Sequence, residues 1–173
     1  MRILALDLAT KTGYACWNGE RVESGVQDFS LKRGESPGMR YLWFNRWLDN
    51  ILLQPHHRLD EKGNYVGSSP IVSFVELIVY EACHNRGGAA TEVANGFTTR
   101  VQEFCARYDI EHASVHTATL KKRSTGSGRA SKDEMIAACR KRWNIEPIDD
   151  NHADALMIMS YALEEYGNGR VAK

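Results

Sequence analysis

MRILALDLATKTGYACW, residues 1–17, is the stretch from which the fold is read. Ile3, Leu4, Ala5 and Leu6 form an apolar run with the length and composition of a buried strand, and Asp7 stands where that run meets a turn of small and polar residues. Thr10, Lys11, Thr12 and Gly13 turn the chain, and Tyr14 to Trp17 resume an apolar segment that can pair back as the second arm of a hairpin. A lone carboxylate at the end of a first strand has two physical uses. It caps the turn through its oxygens, or it faces a site at the strand's C-terminal end.

The totals limit the rest. A chain of 173 residues is long enough for one domain with a sizeable core and short for two, so residues 1–173 are expected to form a single domain. Lys plus Arg and Asp plus Glu are equal at 22 each, so any footprint for nucleic acid has to be local. Cys16, Cys83, Cys105 and Cys139 lie far apart, without the paired spacing of a zinc site or the density of a disulfide scaffold. They read as buried thiols of a reducing compartment. With a first strand at the very N-terminus and no apolar run of membrane-spanning length, a cytoplasmic protein without signal peptide or membrane helix is expected.

Past the hairpin, Arg21 to Phe29 reads as a third strand with a break at Gly25, completing an antiparallel meander. Met39 to Leu53 carries Leu42, Trp43, Trp47, Leu48, Ile51 and Leu52 at helical spacing, which predicts an amphipathic helix packed on the core. Gln54 to Pro70, interrupted by Pro55, Gly63, Asn64 and Gly67, predicts a long surface excursion without a regular element. Val75 to Tyr80 reads as a strand ending in a second carboxylate, Glu81. Alternation places Glu81 with Leu77 and Val79 on one face and Glu76 on the other. The polar loop His84-Asn85-Arg86-Gly87-Gly88 leads to a helix over Ala89 to Tyr108 and a short strand over Glu111 to His116. Thr119 to Lys132, TLKKRSTGSGRASK, predicts a flexible polar loop, and from Arg107 to Arg142 nine basic residues face four acidic ones. Ser131 with Glu134 forms a capping box that opens a helix over Lys132 to Trp143. After Pro147, the residues Asp149, Asp150 and Asn151 lead into a last helix, Ala153 to Tyr166. The order predicts an α/β fold of ribonuclease-H-like type: a mixed five-stranded sheet with an N-terminal antiparallel meander and helices on both faces.

Asp7, Glu81 and the acidic start of the last helix together supply three or four oxygen donors, which suits a hard cation such as Mg²⁺. Two such ions roughly 3.5–4 Å apart can activate a water and stabilise the leaving oxygen of an in-line phosphodiester displacement. Helix capping is the competing account of Asp149, Asp150 and Asp154. For Asp154, inside the first turn and followed by apolar Leu156, Ile158 and Met159, capping is the poorer account.

The motifs LALDLATKTGYA, VYEACHNRGG, TGSGRASKDEM and DDNHADAL, in this order, resemble those of the RuvC-type Holliday junction resolvases, in particular their phage-like branch. The resemblance spans nearly the whole chain except residues 54–70. It implies a homodimer that nicks four-way or otherwise branched DNA with Mg²⁺, two ions per site, with Mn²⁺ as a substitute and no nucleotide cofactor. It assigns Asp7, Glu81 and Asp154 to the catalytic, metal-binding acids. The fourth group departs from the family pattern, because Asn151 stands where an acid or a histidine is usual. Residues three or four apart share a helix face, which favours Asp150 or Asn151 over His152, and a carboxylate is the better Mg²⁺ ligand. Asp150 is the choice, with His152 as a proton carrier if the helix starts late. Lys121 and Lys132 match the two basic residues placed near the scissile phosphate. Lys122, Arg123 and Arg129 extend the expected DNA contacts, and His84 and Arg86 stand where relatives can insert an aromatic side chain.

Three rivals remain. An actin-like or sugar-kinase ATPase shares a first strand running into a phosphate hairpin, but its cleft needs a second domain for which 173 residues leave no room. A flap, branch or RNA-processing nuclease would keep the fold and change the substrate, and backbone-directed cleavage discriminates these poorly in sequence. A binding module without catalysis is disfavoured by the retained acids.

Overall fold

β1 (Ile3–Asp7) is buried from Ile3 to Leu6 because neighbours cover both of its faces. In this computed structural model, which describes residues 1–167 except 61, 63, 64, 74 and 84–86 and only the backbone of 54–59 and 65–73, twelve elements follow one another. β1 is followed by β2 (Lys11–Trp17), β3 (Val22–Asp28), α1 (Met39–Leu52), β4 (Leu53–Leu59), β5 (Tyr65–Ser73) and β6 (Leu77–Glu81). Then come α2 (Ala89–Tyr108), β7 (Glu111–Val115), α3 (Thr117–Thr125), α4 (Lys132–Trp143) and α5 (Asp150–Tyr166). The main sheet is five-stranded in the order β3-β2-β1-β6-β7. β1, β2 and β3 are antiparallel neighbours, while β1, β6 and β7 run parallel. This is the mixed α/β sheet of the ribonuclease-H-like fold that the element order predicts.

Strand alternation builds two cores. Ile3 and Ala5 of β1 pack with Leu77 and Val79 of β6 against Leu156 and Met159 of α5, with α3 and α4 behind. Leu4 and Leu6 pack with Ile78 and Tyr80 against α1 and α2. The second core is aromatic: Phe44 and Phe97 stack with ring centroids 4.5 Å apart, and Phe29 meets Phe44 edge-on at 5.4 Å. On α1 the buried residues are Phe44, Leu48 and Leu52, a strict four-residue spacing. Leu42, expected on the apolar face, is 61% exposed because it falls off that stripe.

Two further expectations are corrected. Residues 54–70 are not an irregular excursion, since β4 and β5 pair there as an antiparallel hairpin in a separate two-stranded sheet. The pairing passes from Gln54–Val72 to His56–Ser69, so Pro55 and Pro70 both fall where the ladder is interrupted and no amide is needed. The TLKKRST stretch is a helix, α3, rather than a flexible loop. Leu120 anchors it in the core, Gly126 closes it at φ +88° with its amide 2.9 Å from the Lys122 carbonyl, and Lys122 and Arg123 in the last turn complement the helix dipole. Among the described residues no helix is long and apolar enough to cross a membrane.

α5 lies across β1, β2 and β6, and its first turn is seated on Gly13. Gly13 is the residue paired with Asp7 in the β1–β2 ladder. A Cβ at Gly13 would collide with the backbone carbonyl of Asn151, which has no rotamer to escape through. Gly13→Ala is therefore expected to lower stability by about 1–3 kcal/mol, the usual cost of overpacking. Urea denaturation measures this, and an unchanged midpoint would mean that α5 is not seated as described.

Candidate active site

Asp7 and Glu81 reach the same place for the same reason. β1 and β6 are parallel and pair Leu6 with Tyr80, so the next step of each strand brings Asp7 and Glu81 level at the C-terminal edge of the sheet. Both continue the alternation of Ile3, Ala5, Leu77 and Val79 and so lie on the α5 face. The Asp149 carboxylate accepts from the His152 amide at 2.9 Å and acts as N-cap, so α5 starts at Asp150, three residues earlier than expected. Asp149 is thus a capping residue. Asp150 and Asp154, four apart in the first turns, share a helix face.

Glu81, Thr117, Lys121, Lys132, Asp150 and Asp154 line one cavity of about 160 Å³, floored by Leu120 and Met135. A larger groove of about 760 Å³ runs between α3, α4 and α5, but the charges on its walls include the Arg142–Glu164 ion pair and it holds no cluster of acids. The small cavity is where the chemistry gathers. Burial, then the charges of Asp154, Glu81, Asp150 and Asp149, hold the Asp7 carboxyl well above the usual carboxylate range. Burial, with Glu81 and Asp150, pushes Asp154 up to about 7 against the opposing pull of Lys121 and Lys132. Asp150 moves the other way, held low by its hydrogen bond with Lys132, whose own pKa rises through that bond. Among the described residues no side-chain hydrogen bond ties the Asp7 carboxylate to the β1–β2 turn, which is closed by the Thr12 hydroxyl donating to the Ala9 carbonyl at 2.7 Å.

The three candidates for the fourth group separate in space. Asp150 faces the acidic cavity. Asn151 lines a different cleft, formed by the β1–β2 turn and the first turns of α2. His152 is buried: its Nδ1 accepts from the Ile148 amide at 3.0 Å, so Nε2 carries the proton toward Ser24 Oγ, 2.8 Å away. Burial lowers its pKa. It bolts α5 to β3 and is turned away from the role of proton carrier that a late helix start would have allowed.

The basic residues also sort themselves. Lys132 Nζ pairs with the Asp150 carboxylate, and Lys121 Nζ donates to the Ala130 carbonyl at 2.7 Å, tying α3 to the loop before α4. Arg123, expected to contact DNA, is drawn to Glu165 at 3.3 Å, and Arg107, Arg140 and Arg142 likewise face Glu103, Glu146 and Glu164. Lys122 and Arg129 are exposed and have no ion-pair partner among the described residues. His84 and Arg86 lie outside the described residues. Sequence reasoning passed over Thr117, whose hydroxyl donates to Glu81 Oε1, and Ser24. The one signal for Thr117 was its position just past the strand next to Glu81.

Four carboxylates without a thiolate or imidazole are a hard-oxygen donor set of the kind Mg²⁺ takes. Their chemistry fits that ion. Within the site Asp150 is held by Lys132 and Glu81 by Thr117.

No protein-family model matches the chain, and no curated protein matches its sequence. Solved structures do match in fold. Thermus thermophilus RuvC in complex with a Holliday junction substrate superposes with a TM-score of 0.63 at 15% identity, covering 91% of this chain and 90% of that one. A second Thermus thermophilus RuvC structure gives a TM-score of 0.62 at 14% identity, covering 97% of this chain and 96% of the other. The fold is RuvC-like, within the ribonuclease-H-like α/β class.

The raised Asp154 sets a pH dependence for the metal-free protein. Its folded pKa of about 7 exceeds the ordinary value of 3.8, so the folded form binds the proton more tightly. The stability this provides is complete below pH 3.8 and is lost as pH rises to about 7. Asp154→Asn is expected to raise the melting temperature at pH 8 more than at pH 4, in chelator-treated protein. An equal shift at both pH values would show that Asp154 is not held in a crowded, buried state.

Proposed function

We propose that this protein is a metal-dependent, structure-selective endonuclease that cuts four-way (Holliday) or other branched DNA as a cytoplasmic homodimer, akin to the phage-like RuvC resolvases. The observation that carries this reading is one cavity holding Glu81, Asp150 and Asp154 beside Lys121 and Lys132, with Asp7 electrostatically coupled to it, at the strand ends of a RuvC-like sheet. One of the fold's solved counterparts is bound to a Holliday junction substrate, which supports branched DNA as the substrate class.

Asp7, Glu81, Asp150 and Asp154 would hold one or two Mg²⁺ or Mn²⁺ ions, which when bound supply Lewis-acid activation of water and charge neutralisation at the leaving oxygen. The chain's own contributions follow from its geometry. The apolar floor of Leu120 and Met135 limits water in the cavity and strengthens each charge there. Asp154 is nearly neutral-poised at physiological pH, so a cation or a proton can relieve its crowding. Lys121 and Lys132, brought from two helices to the cavity of the acids, would meet a backbone phosphate there, and exposed Lys122 and Arg129 would extend the basic footprint outward.

A panel of labelled four-way junction, flap, linear duplex and RNA–DNA hybrid, incubated with Mg²⁺, tests the reading. The expected result is paired, symmetric nicking of the four-way junction, abolished by Asp7→Asn while junction binding persists. Preferential cutting of flaps or hybrids would move the protein to another substrate of the same fold, and an active Asp7→Asn enzyme would sink the mechanism. The double variant Lys121→Ala/Lys132→Ala should weaken junction binding and reduce the slope of log K against log salt by about two, near 0.9 per lost phosphate contact. An unchanged slope would remove these lysines from the DNA interface.

A further inference from the structure

Lys132 and Asp150 come from different helices, and their side chains meet on the wall of the acidic cavity. The Lys132 side chain is 78% exposed and that of Asp150 35%, so the ammonium reaches the carboxylate on a largely exposed stem. The backbone beneath it is rigid. Lys132 is the first residue of α4, directly after Ser131, whose hydroxyl and the Glu134 carboxylate close a complete capping box. Its charge also acts on Asp154 and Asp7. Lys121 differs, because its ammonium is committed to the Ala130 carbonyl rather than to an acid.

A monovalent cation on an exposed stem therefore occupies an oxygen that a divalent cation needs, and the same ammonium is one that a backbone phosphate attracts. Resting on the nuclease reading above, we propose that Lys132 is an exchangeable internal counter-ion, held by Asp150 in the free protein and handed to a DNA phosphate as a divalent cation takes its place. Each binding event then prepares the other. A cation arriving at Asp150 releases the ammonium toward the phosphate, and a phosphate drawing Lys132 away uncovers Asp150 for the cation. Linkage requires the two effects to be equal: the factor by which DNA tightens cation binding is the factor by which the cation tightens DNA binding. An exposed ion pair is weak enough to be displaced and strong enough to be measured.

Calorimetric titration with Ca²⁺, a hard cation that fills oxygen sites, tests this without relying on turnover. In the absence of DNA, Lys132→Gln is expected to bind Ca²⁺ about three- to fivefold more tightly than the unmodified protein, the scale of an exposed ion pair. Lys132→Arg keeps the counter-ion and should bind no more tightly than the unmodified protein. Lys121→Gln, which removes a charge that also acts on Asp154 but does not free Asp150, should raise the affinity by less than Lys132→Gln does. With a four-way junction present, Ca²⁺ and DNA should tighten one another by a common factor that shrinks in Lys132→Gln. Unchanged or weaker Ca²⁺ binding by Lys132→Gln overturns the exchange, as does an equal gain in Lys121→Gln or a gain in Lys132→Arg. Those failures leave the nuclease reading standing, whereas an unmodified protein that binds neither Ca²⁺ nor Mg²⁺ removes both.

Discussion

The structure depends on the seating of the first turn of α5 against the β1–β2 hairpin. Gly13 admits the Asn151 backbone, Asp149 caps the helix, and buried His152 ties its start to Ser24 on β3. The apolar face of α5 covers Ile3, Ala5, Leu77 and Val79, so the hydrophobic effect drives the helix onto the sheet. The consequence at its N-terminus is electrostatic. Asp150 and Asp154 are pressed toward Asp7 and Glu81, and like charges are brought together in a region where water is scarce.

That crowding is unfavourable by itself and is offset by groups from elsewhere in the chain. Lys121 from α3 and Lys132 from α4 counter the acids, and the Thr117 hydroxyl satisfies one oxygen of Glu81. α3 and α4 owe their own placement to packing, through Leu120, Met135 and Cys139 in the core they share with α5. One hydrophobic core therefore positions both the carboxylates and their partners. The result is a site of opposed charges, carboxylates beside lysines, held in place by apolar packing.

Charge in this chain is arranged in space rather than along the sequence. The basic excess between Arg107 and Arg142 is partly consumed by Glu103, Glu146, Glu164 and Glu165, some of them distant in sequence. Among the described residues, Lys122, Arg129 and Lys141 of that stretch are exposed without an ion-pair partner, and Lys121 and Lys132 stand in the acidic cavity. A neutral total of 22 basic and 22 acidic side chains is thus compatible with a local basic rim around an acidic cavity.

Much is legible in the sequence, for reasons of period and punctuation. Alternation along Ile3–Asp7 and Leu77–Glu81 identifies two carboxylates on one face, the capping box at Ser131 and Glu134 marks the start of α4, and the order of elements implies the mixed sheet. What stayed hidden was set by contacts between residues far apart in sequence. TLKKRST has the composition of a loop, and only the burial of Leu120 and the left-handed Gly126 make it a helix. The 54–70 stretch reads as broken because its prolines sit at interruptions in a ladder whose partner strand no local rule reveals. Sequence spacing left Asp150, Asn151 and His152 as alternatives, since adjacent residues differ by only about 100° around a helix. Tertiary packing separated them, sending Asp150 to the acids, Asn151 to a second cleft and His152 to Ser24, because a seated helix has one rotation and each residue on it one environment.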